Sequence, residues 1–100
     1  MISIKSAPEV AFALASRIRD RRLQRGWTQG ELARRAELKE PTYVLFERTG
    51  RISLLRLLKV LDVLELLDEF DRIGQIPDLS TLSLADLVKP KQQRGSRTHS

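Results

Sequence analysis

The chain is 100 residues long, which is enough for one domain with a modest core and too short for two independent domains. It contains no cysteine, which excludes a disulfide framework, a thiolate metal site and a thiol nucleophile. No long apolar run occurs, and the first residues lack the charged-then-apolar pattern of a signal peptide, so we expect a cytoplasmic protein without a membrane span. Leu, Ala, Arg and Glu are abundant whereas aromatic residues make up 5%, which favours an all-α fold.

The net charge of +5 is unevenly distributed along the sequence. Residues 1–51 carry 11 Lys and Arg against 6 Asp and Glu, residues 52–88 carry 3 against 7, and residues 89–100 carry 4 against none. A basic first half, an acidic section and a basic end indicate one surface that faces a polyanion. The pattern is weak by itself, because charged faces are in most cases only solvated.

The first predicted helix begins after Ser6, because Ser6 and Glu9 have the spacing of a capping box and Pro8 lies in the first turn. We expect this helix to run to about Arg25. The apolar residues predicted to face inward are Ala11, Leu14, Ala15, Ile18 and Leu23. Arginines crowd its second half, where part of the cluster complements the helix dipole. Before the helix, Ile2 and Ile4 alternate with polar residues, which fits either a short strand or an ordered arm.

Gly26 is predicted to end the first helix in a left-handed conformation. Trp27, the only tryptophan, is predicted to plug the core beneath this turn. Thr28 and Glu31 then form a second capping box and start a second helix. Its inward face is predicted to consist of Leu32, Ala33 and Ala36.

A third helix follows a tight turn at Glu37, with Pro41 in its first turn. Tyr43 and Phe46 supply its buried stripe, and it is predicted to end near Arg48. Two short helices joined in this way, over residues 28–46, are the pattern of a helix-turn-helix.

Ser53 is predicted to cap a fourth helix that runs from Leu54 to about Leu64, and Ile52 and Leu57 have the spacing of a hydrophobic staple. This helix is apolar over more than one face, so a neighbouring helix or a partner must cover it. A fifth helix is predicted within residues 66–73, starting at or near residue 68 and ended by Gly74.

Ser83 and Asp86 have capping spacing ahead of Leu87, which indicates one more short helix. From Lys89 the sequence has no apolar periodicity and is predicted to be disordered. We therefore divide the chain into a helix-turn-helix domain, residues 1–76, and a C-terminal extension, residues 77–100, with a short helix and a disordered basic tail.

The sequence offers little for catalysis. The only histidine is His99, near the end of the chain, and the tightest carboxylate cluster, Asp68, Glu69 and Asp71, has no convergent group beside it. No glycine-rich phosphate loop, nucleophile constellation or metal-ligand spacing occurs. We expect no catalytic residue, no cofactor and no metal.

The second helix of a helix-turn-helix lies in the major groove of double-stranded DNA and reads base edges with its outer face. The candidates for base contact are Lys39, Glu40, Thr42, Val44 and Arg48. Lys39 can donate to guanine and Glu40 can accept from cytosine. Val44 and its neighbour Leu45 are apolar on this wet face, where they would pack on thymine methyl groups or against a protein.

Contacts to the phosphate backbone are expected near the start of the second helix and after the third. The candidates for phosphate contact are Thr28, Gln29, Arg35 and Arg51. Gln29 is expected to point outward, beside the free amides of the helix N-terminus.

Residues 14–73 resemble the five-helix DNA-binding domain of the phage repressor/Cro (XRE) family. The matching stretches are R-L-Q-R-G-W-T-Q-G-E-L-A at 22–33, the apolar residues Leu38, Tyr43 and Phe46, and F-E-R-T-G at 46–50. The resemblance implies a compact, lambda-repressor-like bundle of five helices, a buried pair between Arg22 and Glu47, and a phosphate contact from Gln29.

The resemblance also implies a homodimer on an inverted-repeat operator, because one half-site gives too little specificity. The surplus apolar surface of the fourth and fifth helices is the candidate interface. Its residues are Leu54, Leu58, Leu66, Leu67 and Phe70.

Three positions depart from the family pattern. Glu37 and Glu65 stand where glycine usually ends the second and fourth helices, and Lys39 replaces a polar residue that caps the third. These changes imply a slightly different turn, or a tolerated strain of about 1 kcal/mol at each position.

The run F-E-R-T-G-R-I-S-L at 46–54, together with the basic tail, is similar to the HipB-like antitoxin branch of the family. Members of that branch bind a HipA-like kinase toxin and repress their own operon. The leading hypothesis is therefore an autoregulatory, dimeric repressor associated with the nucleoid of a prokaryote. The alternatives are a protein-interaction module that mainly neutralises a toxin and a stand-alone phage-type regulator.

Overall fold

A computed structural model of the protein describes residues 5–77. Five helices follow one another along the chain: α1 (Ala7–Gln24), α2 (Gln29–Arg35), α3 (Glu40–Thr49), α4 (Leu54–Val63) and α5 (Leu67–Asp71). No strand occurs in this range, so the predicted all-α bundle with a helix-turn-helix is confirmed. The predictions for Ile2 and Ile4, for a short helix at residues 83–88 and for a disordered tail lie outside the described residues. The division of the chain at residue 77 stays a prediction.

The predicted N-terminal caps are present on α1, α2 and α4. The Ser6 hydroxyl accepts a hydrogen bond from the Glu9 amide at 3.2 Å, and the Glu9 carboxylate accepts one from the Ser6 amide at 2.8 Å. Thr28 and Glu31 repeat this reciprocal pair at 3.0 and 2.9 Å. The hydrogen bonds from the cap amides lower the pKa of both glutamates. The capping spacings read from the sequence therefore define where these helices begin.

Three helices end in the same left-handed turn. Gly26, Glu37 and Glu65 follow α1, α2 and α4 with φ of 73°, 60° and 63°. After α2, the Leu38 amide donates to the Ala33 carbonyl at 2.8 Å, the long bond of a Schellman motif. Both glutamates thus adopt a backbone conformation that favours glycine, which costs about 1 kcal/mol at each position. The two departures from the family pattern are accommodated as strain and not by a different turn.

The core is formed by the facing sides of α1 to α4 and by the residues that end α2 and α4. Its buried apolar residues are Ala15, Ile18, Leu32, Ala33, Ala36, Tyr43, Phe46, Leu57, Val60, Leu61 and Leu64. Helix α5 contributes no buried residue and contacts the core only through half-buried side chains such as Phe70.

One prediction about the core is wrong. Leu23 is 49% exposed, because the inward stripe of α1 passes through Ile18 and Arg22, and Leu23 lies about 100° further round the helix. Trp27 packs against the core as predicted, although it is half-buried and not enclosed by the core.

Gly50 brings the end of α3 against the backbone of α1. Its φ is +85°, and a Cβ built on it would lie 2.8 Å from the Ala11 carbonyl carbon and 2.9 Å from the Phe12 nitrogen. Any larger residue would therefore meet both an unfavourable φ and main-chain atoms that cannot rotate away. This contact fixes the position of the helix that carries the candidate base-reading residues.

Candidate nucleic-acid interface

Helix α3 presents an accessible outer face. Lys39, Glu40 and Arg48 are exposed, and Thr42 and Val44 are half-buried. Lys39 occupies the N-cap position of α3 without a side-chain hydrogen bond to the helix. Few amide groups are available there for an anion, because Pro41 has no amide hydrogen and the Thr42 amide donates to the Lys39 carbonyl at 3.1 Å.

The opposite face of α3 is fixed by the buried carboxylate of Glu47. Arg22 Nε donates to Glu47 Oε2 at 2.7 Å, and Arg22 Nη2 donates to Glu47 Oε1 at 3.2 Å. The Tyr43 hydroxyl also donates to Oε2, and Gln29 Nε2 donates to Oε1 at 2.9 Å. Arg22 Nη1 additionally donates to the Trp27 carbonyl at 2.7 Å. We call Arg22, Gln29, Tyr43 and Glu47 the Glu47 network.

Burial and hydrogen bonding act in opposite directions on Glu47. Burial raises the pKa of its carboxyl, but the hydrogen bonds from Arg22, Tyr43 and Gln29 outweigh it and leave the pKa below the ordinary value. The bond to Glu47 raises the pKa of Arg22, and burial, together with the bond to Glu47, raises the pKa of Tyr43. The network therefore holds a charged pair and a neutral phenol at physiological pH, and it joins α1, α2 and α3.

Thr28 and Gln29, the two expected phosphate contacts at the start of α2, already make hydrogen bonds within the protein. Gln29 was expected to point outward, yet its amide nitrogen is directed inward to Glu47, because that carboxylate is the strongest acceptor nearby. An amide nitrogen carries two hydrogens, so one remains for a second acceptor. The Thr28 hydroxyl already accepts a bond within its capping box. Its hydroxyl hydrogen is a remaining donor.

Arg35 stacks on an aromatic ring. Its guanidinium carbon lies 4.4 Å from the Trp27 ring centroid, and that of Arg25 lies 5.2 Å from it. These are cation–π distances. Arg25 also donates to the Leu64 carbonyl at 3.2 Å, which links the turn after α1 to the end of α4. Arg51 is exposed.

Glu40 lies against the first turn of α2. A Cβ built on Gly30 would lie 3.0 Å from Glu40 Oε1, so the missing side chain of Gly30 leaves room for this carboxylate. The contact places a negative charge close to the candidate phosphate contacts of α2, which the sequence did not indicate.

Sequence reasoning missed three of these contacts. The i, i+4 spacing of Tyr43 and Glu47 on one helix could have indicated their hydrogen bond. No local signal connects Gln29 with Glu47, or Glu40 with Gly30, because each pair joins two helices.

Other kinds of site find no support in the part of the chain that the structure describes. Between residues 5 and 77, no group of three His, Asp or Glu side chains is placed to hold a metal ion. None of the helices in that range is long and apolar enough to cross a membrane.

The fold and the exposed face of α3 define a helix-turn-helix DNA-binding domain. A family model described as Helix-turn-helix matches residues 18–69, which is just over half of the chain. The chain belongs to this family, in its XRE-type branch of DNA-binding transcription regulators. No curated protein matches the chain.

Proposed function

We propose that the protein is a sequence-specific transcriptional repressor that binds an inverted-repeat operator as a homodimer. This proposal is supported most by helix α3, whose inner face is held by the rest of the domain and whose outer face is accessible. The Glu47 network and Gly50 hold the helix in place, so its backbone needs little further ordering when the outer side chains meet DNA. We propose that it acts in the cytoplasm of a prokaryote, at the nucleoid.

In this proposal the exposed residues of α3 read base edges in the major groove. Lys39 and Arg48 donate to guanine, Glu40 accepts from cytosine, and Thr42 and Val44 contact base edges or thymine methyl groups. Each mismatched base pair would cost about 1–3 kcal/mol of binding free energy.

Positioning contacts to phosphate would come from the start of α2 and from two arginines. The amide of Gln29 and the hydroxyl of Thr28 are the donors at α2, and Arg51 supplies a charge after α3. Arg35 would contribute from its stacked position on Trp27, where its guanidinium edge is accessible to a phosphate oxygen. Such contacts give affinity and salt dependence without selecting a sequence.

We propose that the two copies of a dimer meet around the start of α4. Leu54 is 60% exposed and the adjacent Leu55 is 65% exposed, which is unusual for leucine in a small domain. Leu67 is also exposed, whereas Leu58, Leu66 and Phe70 are half-buried and would line the edge of such an interface.

The proposal can be tested by selecting binding sites from random duplex DNA and then measuring affinity over a salt series. We expect an inverted repeat with half-sites one helical turn apart, about 10 base pairs between centres. Arg48→Ala should relax preference at one position of each half-site, whereas Arg51→Ala should weaken all sequences equally and reduce the salt slope by about one. Failure to enrich any sequence, or equal affinity for scrambled DNA, would refute specific repression.

A second function is favoured by the apolar side chains on the surface. Leu45 on α3 is 39% exposed beside the half-buried Val44, and these residues suit protein contacts as well as thymine methyl groups. We propose, as this second candidate, an antitoxin that holds a HipA-like kinase toxin. Co-expression with a kinase-like protein encoded by the neighbouring gene, followed by gel filtration, should yield a complex that Leu45→Lys disrupts. Separate elution of the two proteins would favour a stand-alone regulator.

A further inference from the structure

A shallow apolar groove lies between α4 and α5. Its apolar lining consists of Leu58, Leu67, Phe70 and Ile73, and its polar lining consists of Asp68 and Asp71. We call this the α4–α5 groove. It lies apart from the DNA-facing residues of α3 and has no part in the Glu47 network.

Helix α5 is incompletely packed on this side. It has five residues, none of them buried, and its N-cap residue Leu66 makes no side-chain capping bond. Beyond it, Ile73 is 69% exposed and Ile76 is 89% exposed. A helix this short gains little from its own hydrogen bonds, so further apolar contact is needed to stabilise it.

A second copy is a poor occupant of the α4–α5 groove. A two-fold axis through the groove would bring the same surface of both copies together. Asp68 and Asp71 of one copy would then face the same carboxylates of the other, and like charges at such close range repel. The groove suits an apolar segment that carries positive charge.

The chain contains such a segment a few residues beyond α5. Residues 79–91, L-S-T-L-S-L-A-D-L-V-K-P-K, include four leucines and a valine followed by Lys89 and Lys91. Residues 58–73, which include all the lining residues of the groove, carry two Lys and Arg against five Asp and Glu, whereas the segment carries Lys89 and Lys91 against Asp86. The short connection from Ile73 gives the segment an effective concentration of roughly millimolar at the groove.

We propose that residues 79–91 dock into the α4–α5 groove of their own chain, with their leucines on Phe70 and Ile73 and with Lys89 beside Asp71. The docked segment covers apolar surface that α5 leaves open and neutralises part of the acidic rim. It leaves Leu54 and Leu55 free for the proposed dimer, whose edge the segment would meet at Leu58, Leu67 and Phe70. The proposed DNA binding through α3 does not depend on it.

Disulfide trapping in the full chain tests this docking, because the protein contains no cysteine of its own. The variant Asp71→Cys/Lys89→Cys should form an intramolecular disulfide under mild oxidation, seen as a faster-migrating monomer on a non-reducing gel. The matched control is the same cysteine pair with Leu84→Ser and Leu87→Ser, which keeps the separation of 18 residues between positions 71 and 89 and removes two leucines of the segment. Docking should make the first variant close about tenfold faster than this control, because the two share one tether and differ only in their apolar contacts.

Equal rates for the two variants would overturn the proposal, since the apolar contacts would then contribute nothing to closure. A disulfide between chains, seen as a dimer on the same gel, would also overturn it, because the segment would then occupy the groove of a second copy. Neither result would bear on the proposed DNA binding, which the binding-site selection measures separately.

Discussion

Replacing Gly50 by alanine should destabilise the protein more than any other single-methyl change at its positive-φ glycines. Two costs add at this position. The backbone has φ of +85°, which costs a residue with a Cβ about 1–2 kcal/mol. The new methyl would also lie 2.8 Å from the Ala11 carbonyl carbon, where the neighbour is main chain and cannot rotate away. Such overpacking typically costs about 1–3 kcal/mol, so the expected total is about 2–5 kcal/mol.

Gly26→Ala is the matched control. Gly26 has φ of +73°, and a Cβ built on it would meet no atom within 4 Å, so only the conformational cost applies. The difference between the two variants therefore isolates the contact between the end of α3 and the backbone of α1.

Urea denaturation, followed by the fluorescence of Trp27, gives both free energies of unfolding. We expect Gly50→Ala to lose at least about 1 kcal/mol more than Gly26→Ala, with unchanged m-values. Equal losses would show that α3 does not approach α1 this closely, and that Gly50 does not determine the position of α3.

Three further predictions concern the Glu47 network and the helix ends. Arg22→Ala should destabilise the fold by about 3–5 kcal/mol in the same assay, because it leaves a buried carboxylate without its cation. The double variant Arg22→Met/Glu47→Leu should lose less stability than Arg22→Ala, and an equal or larger loss would contradict this reasoning. Because Glu47 has a lowered pKa in the folded state, its contribution to stability should be complete above its ordinary value of 4.5 and be lost as the pH falls below it. Urea titrations of the wild type and Glu47→Gln from pH 7 downward should show the larger acid loss in the wild type. Glu37→Gly should raise the free energy of unfolding by about 0.5–1 kcal/mol, since glycine relieves the left-handed strain, and a loss of stability would contradict this. Glu65→Gly should raise it less, because it also removes the exposed ion pair of Glu65 with Arg25 at 3.5 Å.

The resemblance and the structure agree on the centre of the domain. The family pattern paired Arg22 with Glu47, and the two side chains form a buried salt bridge at 2.7 Å. The motif could indicate this pair because both positions belong to the matched stretches. It could not indicate that Tyr43 and Gln29 share the same carboxylate, since their contribution depends on how α2 crosses α3.

The starts of α1, α2 and α4 and the end of α1 were determined by the sequence itself. Ser6, Thr28 and Ser53 cap helices through bonds to residues three positions on, and Gly26 ends α1 through its own φ preference. These effects act within one turn of chain, so spacing alone is enough to predict them. Glu37 and Glu65 show the converse, because they adopt the left-handed conformation against their own preference when the helices around them are packed.

Only the tertiary structure determined the direction of those side chains for which the neighbouring sequence favoured neither burial nor exposure. Gln29 turns inward to Glu47, Arg35 lies on Trp27, and Leu23 remains in solvent although its spacing allowed burial. Gly50 is the clearest case, because its sequence position predicts a turn but not that a neighbouring helix passes 2.8 Å from its missing Cβ. Local preferences are set by residues within a few positions along the chain. The partners of these side chains lie on other helices, and only the packing of the core brings them together.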